Sequence, residues 1–143
     1  MHDDTRALLI RAGLEQLTET GFSGTGIDSI LKKVGVPKGS FYYYFPSKEA
    51  FGRDVIAAYD EYFCRKLDAH LLCDAGEPLA RLEQFVDDAK AGIIRHHFRR
   101  GCLIGNLEQE VDLLPTSFRE QLNQIYLGWQ RRIEACLSLA QQR

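Results

Sequence analysis

The chain has 143 residues, of which 45% are hydrophobic and 27% charged, with a formal net charge of -2. That length and composition are typical of about one ordinary domain with a real core. The weak negative charge excludes a protein that coats nucleic acid by global charge, so any affinity for a polyanion must come from a local patch. The sequence has no signal-peptide pattern and no apolar run approaching the ~20 residues of a membrane span. We therefore expect a cytoplasmic protein that does not act at a membrane.

Helical periodicity recurs along the chain, and no segment alternates like a half-buried strand. In the first helix, Ile10, Leu14 and Leu17 form one apolar stripe, and Gly21 is a natural stop. The sequence therefore predicts an all-α fold.

Two short helices are predicted next. Thr25 followed by Asp28 resembles a capping box and predicts the start of the second helix, which Gly35 ends. Pro37 suits the first turn of a third helix, and Pro46 stops it after about two turns.

The remaining chain predicts four longer helical segments. Ser47 can cap the fourth helix, and a break rich in turn-forming residues follows at 74–78. A fifth helix comes next. Gly101 precedes a sixth helix that we expect to extend to Leu114, and Pro115 opens a seventh.

The four cysteines show neither CxxC pairing nor zinc-ligand spacing. We expect free thiols, no metal site and no cofactor. Cys64, Cys73 and Cys136 match no motif, and we interpret them as structural.

The second and third predicted helices, joined at 35–37, have the dimensions of a helix-turn-helix, in which the second helix of the pair enters the major groove of DNA. No acidic residue occurs from Ser29 to Lys48, while four lysines do. Side chains at the start of the third helix can meet base edges and phosphates, and helix N-termini favour phosphate. The candidate DNA contacts are Thr25, Lys38, Gly39, Ser40, Tyr42, Tyr43, Tyr44 and Lys48.

The aromatic run divides into two faces. Phe41 and Phe45 share a face at i and i+4, which predicts core packing. Tyr42, Tyr43 and Tyr44 then face partly outward, where three solvent-facing tyrosines are unusual without a ligand.

The segment from Thr5 to Gly52 resembles the DNA-binding domain of the TetR/AcrR family of bacterial transcriptional regulators. The resemblance is carried by Gly21-Phe22, Thr25, Ile30, Gly35-Val36, the run from Lys38 to Phe45, and Lys48-Glu49. Residues matching Thr25, Lys38, Gly39, Tyr42, Tyr43, Tyr44 and Lys48 are typical DNA contacts in that family. One departure is Tyr44, where the family often has His.

The resemblance implies an N-terminal three-helix domain at 1–50 and a helical ligand-binding and dimerisation domain at 51–143. Such proteins bind palindromic operator DNA as homodimers and usually repress until a small molecule binds the C-terminal domain. Family members usually continue with two further helices that make most of the dimer interface. The C-terminal domain is therefore expected to be short, which bears on dimerisation.

In the regulatory half, Phe63, Phe98 and Trp129 are candidates for an apolar effector pocket, with plain helix packing as the alternative. Cys102 is expected at a helix N-terminus beside Arg99 and Arg100, where thiolate is favoured over thiol. It is either an effector-sensing thiol or a small core residue. The motif around Cys102 is similar to that of the subgroup of electrophile-responsive and acrylate-responsive repressors, whose electrophile sensor uses the matching cysteine.

Two other classes of function compete with a regulator. One is a thiol-dependent enzyme or scavenger centred on Cys102, and the other is a module that binds a ligand or protein without touching DNA. The basic, tyrosine-rich third helix favours the DNA-binding regulator over both, because neither alternative needs such a surface. We therefore predict that the protein is not an enzyme.

Overall fold

The structure is a computed structural model, and it describes residues 2–72 and 76–142. Within those ranges the secondary structure is helical, without a strand, which confirms the predicted all-α class. No helix of the described part is long and apolar enough to cross a membrane. The helices are α1 His2–Thr20, α2 Ile27–Val34, α3 Lys38–Tyr44, α4 Lys48–Leu71, α5 Pro78–Arg95, α6 Leu103–Glu108 and α7 Thr116–Gln141, with a 3₁₀ turn at Val111–Leu113.

The turn between α2 and α3 follows the glycine and proline signals in the sequence. Gly35 adopts φ 69°, in the left-handed region, and its N–H donates to the carbonyl of Leu31 to close α2. Pro37 is the residue just before α3, and its fixed φ of -65° directs the chain into the helix. The turn of the helix-turn-helix therefore arises from local conformational preferences.

The capping role predicted for Thr25 is wrong. Gly26 occupies the N-cap of α2, with no side-chain cap, because α2 begins one residue later than the capping box requires. Thr25 is instead buried, with its hydroxyl donating to the carbonyl of Gly21 and lying 2.9 Å from the hydroxyl of Thr20. Thr25 thus ties the start of α2 to the end of α1.

An aromatic cluster anchors α3 to α4. Phe41 and Phe45 are fully buried, as predicted from their spacing. Their ring centroids lie 5.1 Å and 4.9 Å from that of Phe51, both in edge-on geometry that favours aromatic attraction. The position of α3 is therefore set by the first turns of α4.

The long helix α4 begins as predicted, with the Ser47 hydroxyl accepting the N–H of Ala50 at 3.0 Å. Its 24 residues extend about 36 Å. Helices α1, α5 and α7 all pack against it. The helix continues without a break through the domain boundary expected at 50/51.

The predicted sixth helix ends early. Helix α6 stops at Glu108, and a 3₁₀ turn replaces the helical segment expected to reach Leu114. The cause is tertiary, since Glu110 leaves helical geometry where its carboxylate accepts backbone N–H groups of the α1–α2 turn. Leu103, Ile104 and Leu107 anchor α6 in the main core.

The far end of the molecule has a smaller core around Leu67, Leu71 and Cys136. Arg81 is buried there, and its guanidinium donates to the carbonyls of Gly76 and Leu71. The bond to Leu71 satisfies a carbonyl that the C-terminus of α4 would otherwise leave unpaired. The predicted break at 74–78 falls between α4 and α5, although residues 73–75, and Cys73 with them, lie outside the described residues.

Gly52 permits close packing of α4, which leads to a stability prediction. A Cβ atom at Gly52 would lie 2.5 Å from Phe118 Cζ and 2.9 Å from a ring carbon of Phe22. We expect Gly52→Val to lower the free energy of unfolding by about 2 kcal/mol through overpacking.

The matched control is Gly128→Val, whose new Cβ would meet only the end of Arg132 at 3.6 Å. It should change stability by less than about 0.5 kcal/mol. Urea unfolding followed by circular dichroism measures both, and equal losses would contradict the packing argument.

Candidate DNA-contacting surface and effector cavity

The outer face of α3 is polar and open. Because Phe41 and Phe45 point inward, the i, i+4 pairs Lys38/Tyr42 and Gly39/Tyr43 lie on the solvent side. Tyr43 is 73% exposed, an unusual exposure for so large a side chain. A Cβ atom at Gly39 would meet nothing within 4 Å, so another molecule can approach the backbone closely there.

The lysines around α3 differ in their interaction partners. Lys38 Nζ lies 3.6 Å from Asp28, but both side chains are highly exposed, so the pair is weak and easily exchanged for another anion. Lys33 pairs with Glu15 of α1 at 3.2 Å. Lys48 begins α4, as predicted, and its Nζ lies 4.4 Å from the ring centroid of Phe22. Lys38 is thus well placed to meet a phosphate or base edge.

The other predicted contacts lie in different environments. Ser40 and Tyr44 are half-buried at the side of this face. Thr25 does not belong to the exposed face, because its side chain is 3% exposed and its hydroxyl is already bonded. A DNA contact through the hydroxyl of Thr25 is therefore not supported by this geometry.

A cavity of about 380 Å³ lies between α1, α4, α5 and the loop that precedes α6. Its volume falls within the usual range of small-molecule sites. The apolar lining consists of Leu14, Tyr59, Tyr62, Phe63, Phe85, Ala89 and Ile93. Polar groups of the lining include Glu15, Lys66, Asp88, His96, Arg100 and Cys102. An apolar cavity with few polar groups suits a small organic ligand.

The hydroxyl of Tyr59 meets Cys102 at one wall of this cavity. Burial, reinforced by the interaction with the Cys102 thiol, raises the pKa of Tyr59 far above its ordinary value. The backbone at Leu103 acts in the opposite direction and lowers the pKa of Tyr59. Tyr59 on α4 thus interacts with the first residues of α6.

Cys102 is the N-cap residue of α6 and is half-buried, in agreement with its predicted place at a helix N-terminus. Of the two neighbouring arginines, Arg99 is exposed to solvent. Arg100 lies 3.2 Å from Glu19 and 3.9 Å from Glu15. The positive charge of Arg100 is therefore shared with two carboxylates of α1.

A second polar group of the cavity joins α4 to α5. Lys66 Nζ lies 3.2 Å from Asp88, and His70 Nε2 lies 3.6 Å from the same carboxylate oxygen. A hydrogen bond with Tyr62 raises the pKa of Lys66, and a hydrogen bond with Lys66 lowers the pKa of Asp88. The pair is therefore held in its charged form.

The three predicted aromatic effector residues lie at different positions relative to the cavity. Phe63 lines the cavity. Trp129 lies behind it, with ring centroids 4.1 Å apart, and its Nε1–H donates to Asp60 at 2.8 Å. Phe98 was wrongly assigned to the pocket, because it is 75% exposed. Helix α5 ends at Arg95, and His97 and Phe98 follow with φ values in the left-handed region.

Sequence reasoning missed Tyr59, Tyr62 and Lys66 as cavity residues. Together with Phe63 they form an i, i+3, i+4, i+7 stripe on α4. The available signal was this stripe of large side chains, three of which end in a polar group. Such a stripe does not by itself distinguish a cavity wall from a packed interface.

The family comparisons match both halves of the chain. The family described as bacterial regulatory proteins, tetR family, matches residues 9–54. The family described as tetracyclin repressor-like, C-terminal domain, matches residues 78–143. With the helix-turn-helix and its exposed basic face, these matches define a bacterial DNA-binding regulator.

Curated relatives agree with that class. The transcriptional regulator AcuR of Cereibacter sphaeroides is 56% identical over 124 residues, covering 87% of this chain and 57% of AcuR. The repressor NemR of Escherichia coli K12 is 32% identical over 120 residues, covering 84% of this chain and 60% of NemR. The chain thus spans about 60% of the length of these relatives.

Solved structures share the fold. A regulatory protein TetR from Rhodobacter sphaeroides superposes with a TM-score of 0.92 at 52% identity, covering 94% of this chain and 71% of that one. The reduced form of E. coli NemR gives a TM-score of 0.83 at 32% identity, covering 96% and 69%. The chain belongs to the TetR family of bacterial transcriptional regulators. The relatives bear out the prediction of a regulator rather than an enzyme and give no support to a thiol enzyme.

The chemistry of Cys64, on α4, leads to a prediction. Burial and a 3.3 Å hydrogen bond to Asp60 raise the pKa of Cys64 to about 11. Because the thiolate is the reactive form, alkylation of Cys64 at neutral pH should be slower than that of an ordinary thiol by at least about tenfold. Asp60→Asn removes the carboxylate, so the pKa should fall and alkylation should accelerate. Iodoacetamide labelling followed by peptide mass spectrometry across a pH series measures this. A normal rate in the parent protein would refute the assignment.

Proposed function

We propose that the protein is a transcriptional repressor that binds a palindromic operator as a homodimer and leaves the DNA when a small molecule or electrophile enters the cavity. The observation that carries the proposal is the continuity of α4. Near its start, Phe51 packs against α3, and a little over two turns later Tyr59 forms a wall of the cavity. One rigid helix thus joins the DNA-contacting surface to the effector site.

On this proposal, residues 1–50 are the DNA-binding domain and residues 51–143 the regulatory domain. The DNA contacts are made by the exposed residues of α3 and its flanks, which are Lys38, Gly39, Ser40, Tyr42, Tyr43, Tyr44 and Lys48. Lys38 and the tyrosine hydroxyls donate to phosphates or base edges, and Gly39 lets the backbone approach. Thr25 acts indirectly by holding the turn before α2. Such a regulator works in the cytoplasm, where its operator lies.

A palindromic operator requires two recognition helices at a fixed spacing, and hence a dimer. An effector therefore does not need to disturb α3 directly. A ligand that displaces Tyr59 or Phe63 would shift α4, and α4 would carry α3 with it through the aromatic cluster. Changing the spacing of two recognition helices lowers operator affinity, which couples the two sites energetically.

The first prediction concerns the DNA-contacting face. We expect Lys38→Ala and Tyr43→Ala each to weaken operator binding by about tenfold, because each removes a donor to DNA. Lys38→Ala should also reduce the slope of log K against log salt by about one. The measurement is fluorescence anisotropy of labelled DNA from immediately upstream of the gene, at several salt concentrations. Lys90→Ala, on the exposed side of α5, is the matched control and should leave affinity unchanged.

If Lys38→Ala and Lys90→Ala bound the DNA equally well, α3 would not be the recognition helix. If the parent protein showed no selective binding to any upstream fragment, the repressor proposal itself would fail, and a module that binds ligand without DNA would be favoured.

The second prediction concerns release. We expect N-ethylmaleimide, used as a general electrophile, to reduce operator affinity at least about tenfold by adding bulk to Cys102 in the cavity wall. Cys102→Ser should bind DNA and resist the reagent. Cys64→Ser should respond like the parent, since the raised pKa of Cys64 makes that thiol a poor target. Selective DNA binding that ignores the electrophile in the parent protein would remove the thiol switch while leaving the repressor intact.

A further inference from the structure

We propose that Glu110 is the positioning residue that fixes the helix-turn-helix against the C-terminal helices and transmits the state of the cavity to it. The inference rests on the proposed function, because it specifies how that function is regulated. It assigns a residue that touches neither DNA nor the cavity.

Glu110 holds the turn between α1 and α2. Its Oε1 accepts the backbone N–H of Phe22 at 2.7 Å and that of Ser23 at 3.2 Å. Glu110 is almost ninety positions away from Phe22 and Ser23 in the chain, so these bonds tie the two halves of the protein together. Hydrogen bonds from N–H groups to a carboxylate are among the stronger kinds.

The turn is shaped to receive this carboxylate. Gly21 adopts φ 77°, and a Cβ atom there would lie 2.6 Å from Glu110 Oε2. A side chain at position 21 would therefore occupy the place of the carboxylate as well as strain the backbone. The glycine, the two N–H groups and Glu110 form one closely fitted unit, which we call the turn clamp.

The turn clamp is connected directly to the DNA-contacting elements. The Thr25 hydroxyl donates to the carbonyl of Gly21, so α2 begins from the clamped turn. The ring of Phe22 lies 4.7 Å from that of Phe118 and beneath the Lys48 ammonium at the start of α4. A displacement of the clamp would therefore alter the placement of α2 and the base of α4 together.

The other end of the same short segment lies in the cavity wall. Cys102 is the N-cap residue of α6 and lines the cavity beside Tyr59, and α6 leads from there to Glu110. Helix α6 spans only about 9 Å, and Leu103, Ile104 and Leu107 anchor it in the main core, so it moves as a rigid piece. Asn106 adds a tie by donating to the carbonyl of Thr18 on α1 at 3.0 Å. A ligand that shifts Cys102 would thus shift Glu110.

The test enlarges Cys102 in the cavity wall by chemical modification and measures whether the turn clamp opens. Methyl methanethiosulfonate transfers a methylthio group to a thiol, releasing methanesulfinate, and so enlarges Cys102 inside the wall. Amide hydrogen exchange of the segment 20–26 is followed by mass spectrometry. We expect methylthiolation to accelerate exchange at Phe22 and Ser23 and to lower operator affinity between about fivefold and 150-fold. Cys102→Ser should lose both effects.

The variant Glu110→Ala tests whether Glu110 transmits the state of the cavity or only stabilises the fold. In this variant the two amides should already exchange fast, and methylthiolation should change operator affinity by no more than about half the factor seen in the parent, because only the route through α4 remains. Glu110→Gln keeps an oxygen acceptor and should recover part of the response. Glu108→Ala, an exposed carboxylate on the adjacent turn, is the matched control and should respond like the parent.

The possible outcomes are distinct. An affinity ratio in Glu110→Ala equal to that of the parent would overturn the proposal and leave Glu110 a stabilising residue only. Methylthiolation that leaves the exchange of segment 20–26 unchanged in the parent would overturn it as well. Hydrogen exchange requires no DNA, so a clamp that opens without any operator binding would indicate failure of the repressor proposal and not of the transmission.

Discussion

The packing of Phe51 against Phe41 and Phe45 is the contact on which the arrangement of the two functional regions depends. A seven-residue helix has too few internal hydrogen bonds to persist by itself, so α3 exists only because this aromatic cluster holds it on α4. The same cluster frees the opposite side of α3 for solvent. The opening turns of α4 thus decide both that α3 forms and which face it presents.

Charged groups are arranged differently on α3 and around the cavity. The protein has a slight net negative charge, yet the exposed face of α3 combines Lys38 with tyrosine hydroxyls and no adjacent carboxylate on the helix itself. The charges around the cavity are paired in less exposed positions than Lys38 and Asp28, as with Lys66 and Asp88 or Arg100 and Glu19. On the proposed function, the surface that meets a polyanion lies on α3, and the cavity presents a largely apolar interior.

On the proposed function, two routes lead from the cavity to the DNA-contacting surface, and both begin in the cavity wall at Tyr59 and Cys102. Tyr59 belongs to α4 and Cys102 to the start of α6, so a displacement at this pair would act on both helices. Helix α4 reaches α3 through its aromatic cluster, while α6 reaches the turn before α2 through Glu110. Because the core between these points is closely packed, it responds by discrete shifts of whole helices.

The sequence alone determined the all-α class and the helix-turn-helix, because their signals are local: a left-handed residue suited to Gly35, or a cap suited to Ser47, depends only on neighbouring residues. The exposed face of α3 followed from i, i+4 spacing for the same reason. Only the tertiary structure buried Thr25, ended α6 before Glu110 and left Phe98 exposed. Each of those outcomes depends on partners or chain directions set elsewhere in the fold, and hydrogen bonds between residues almost ninety positions apart leave no periodic trace in the sequence.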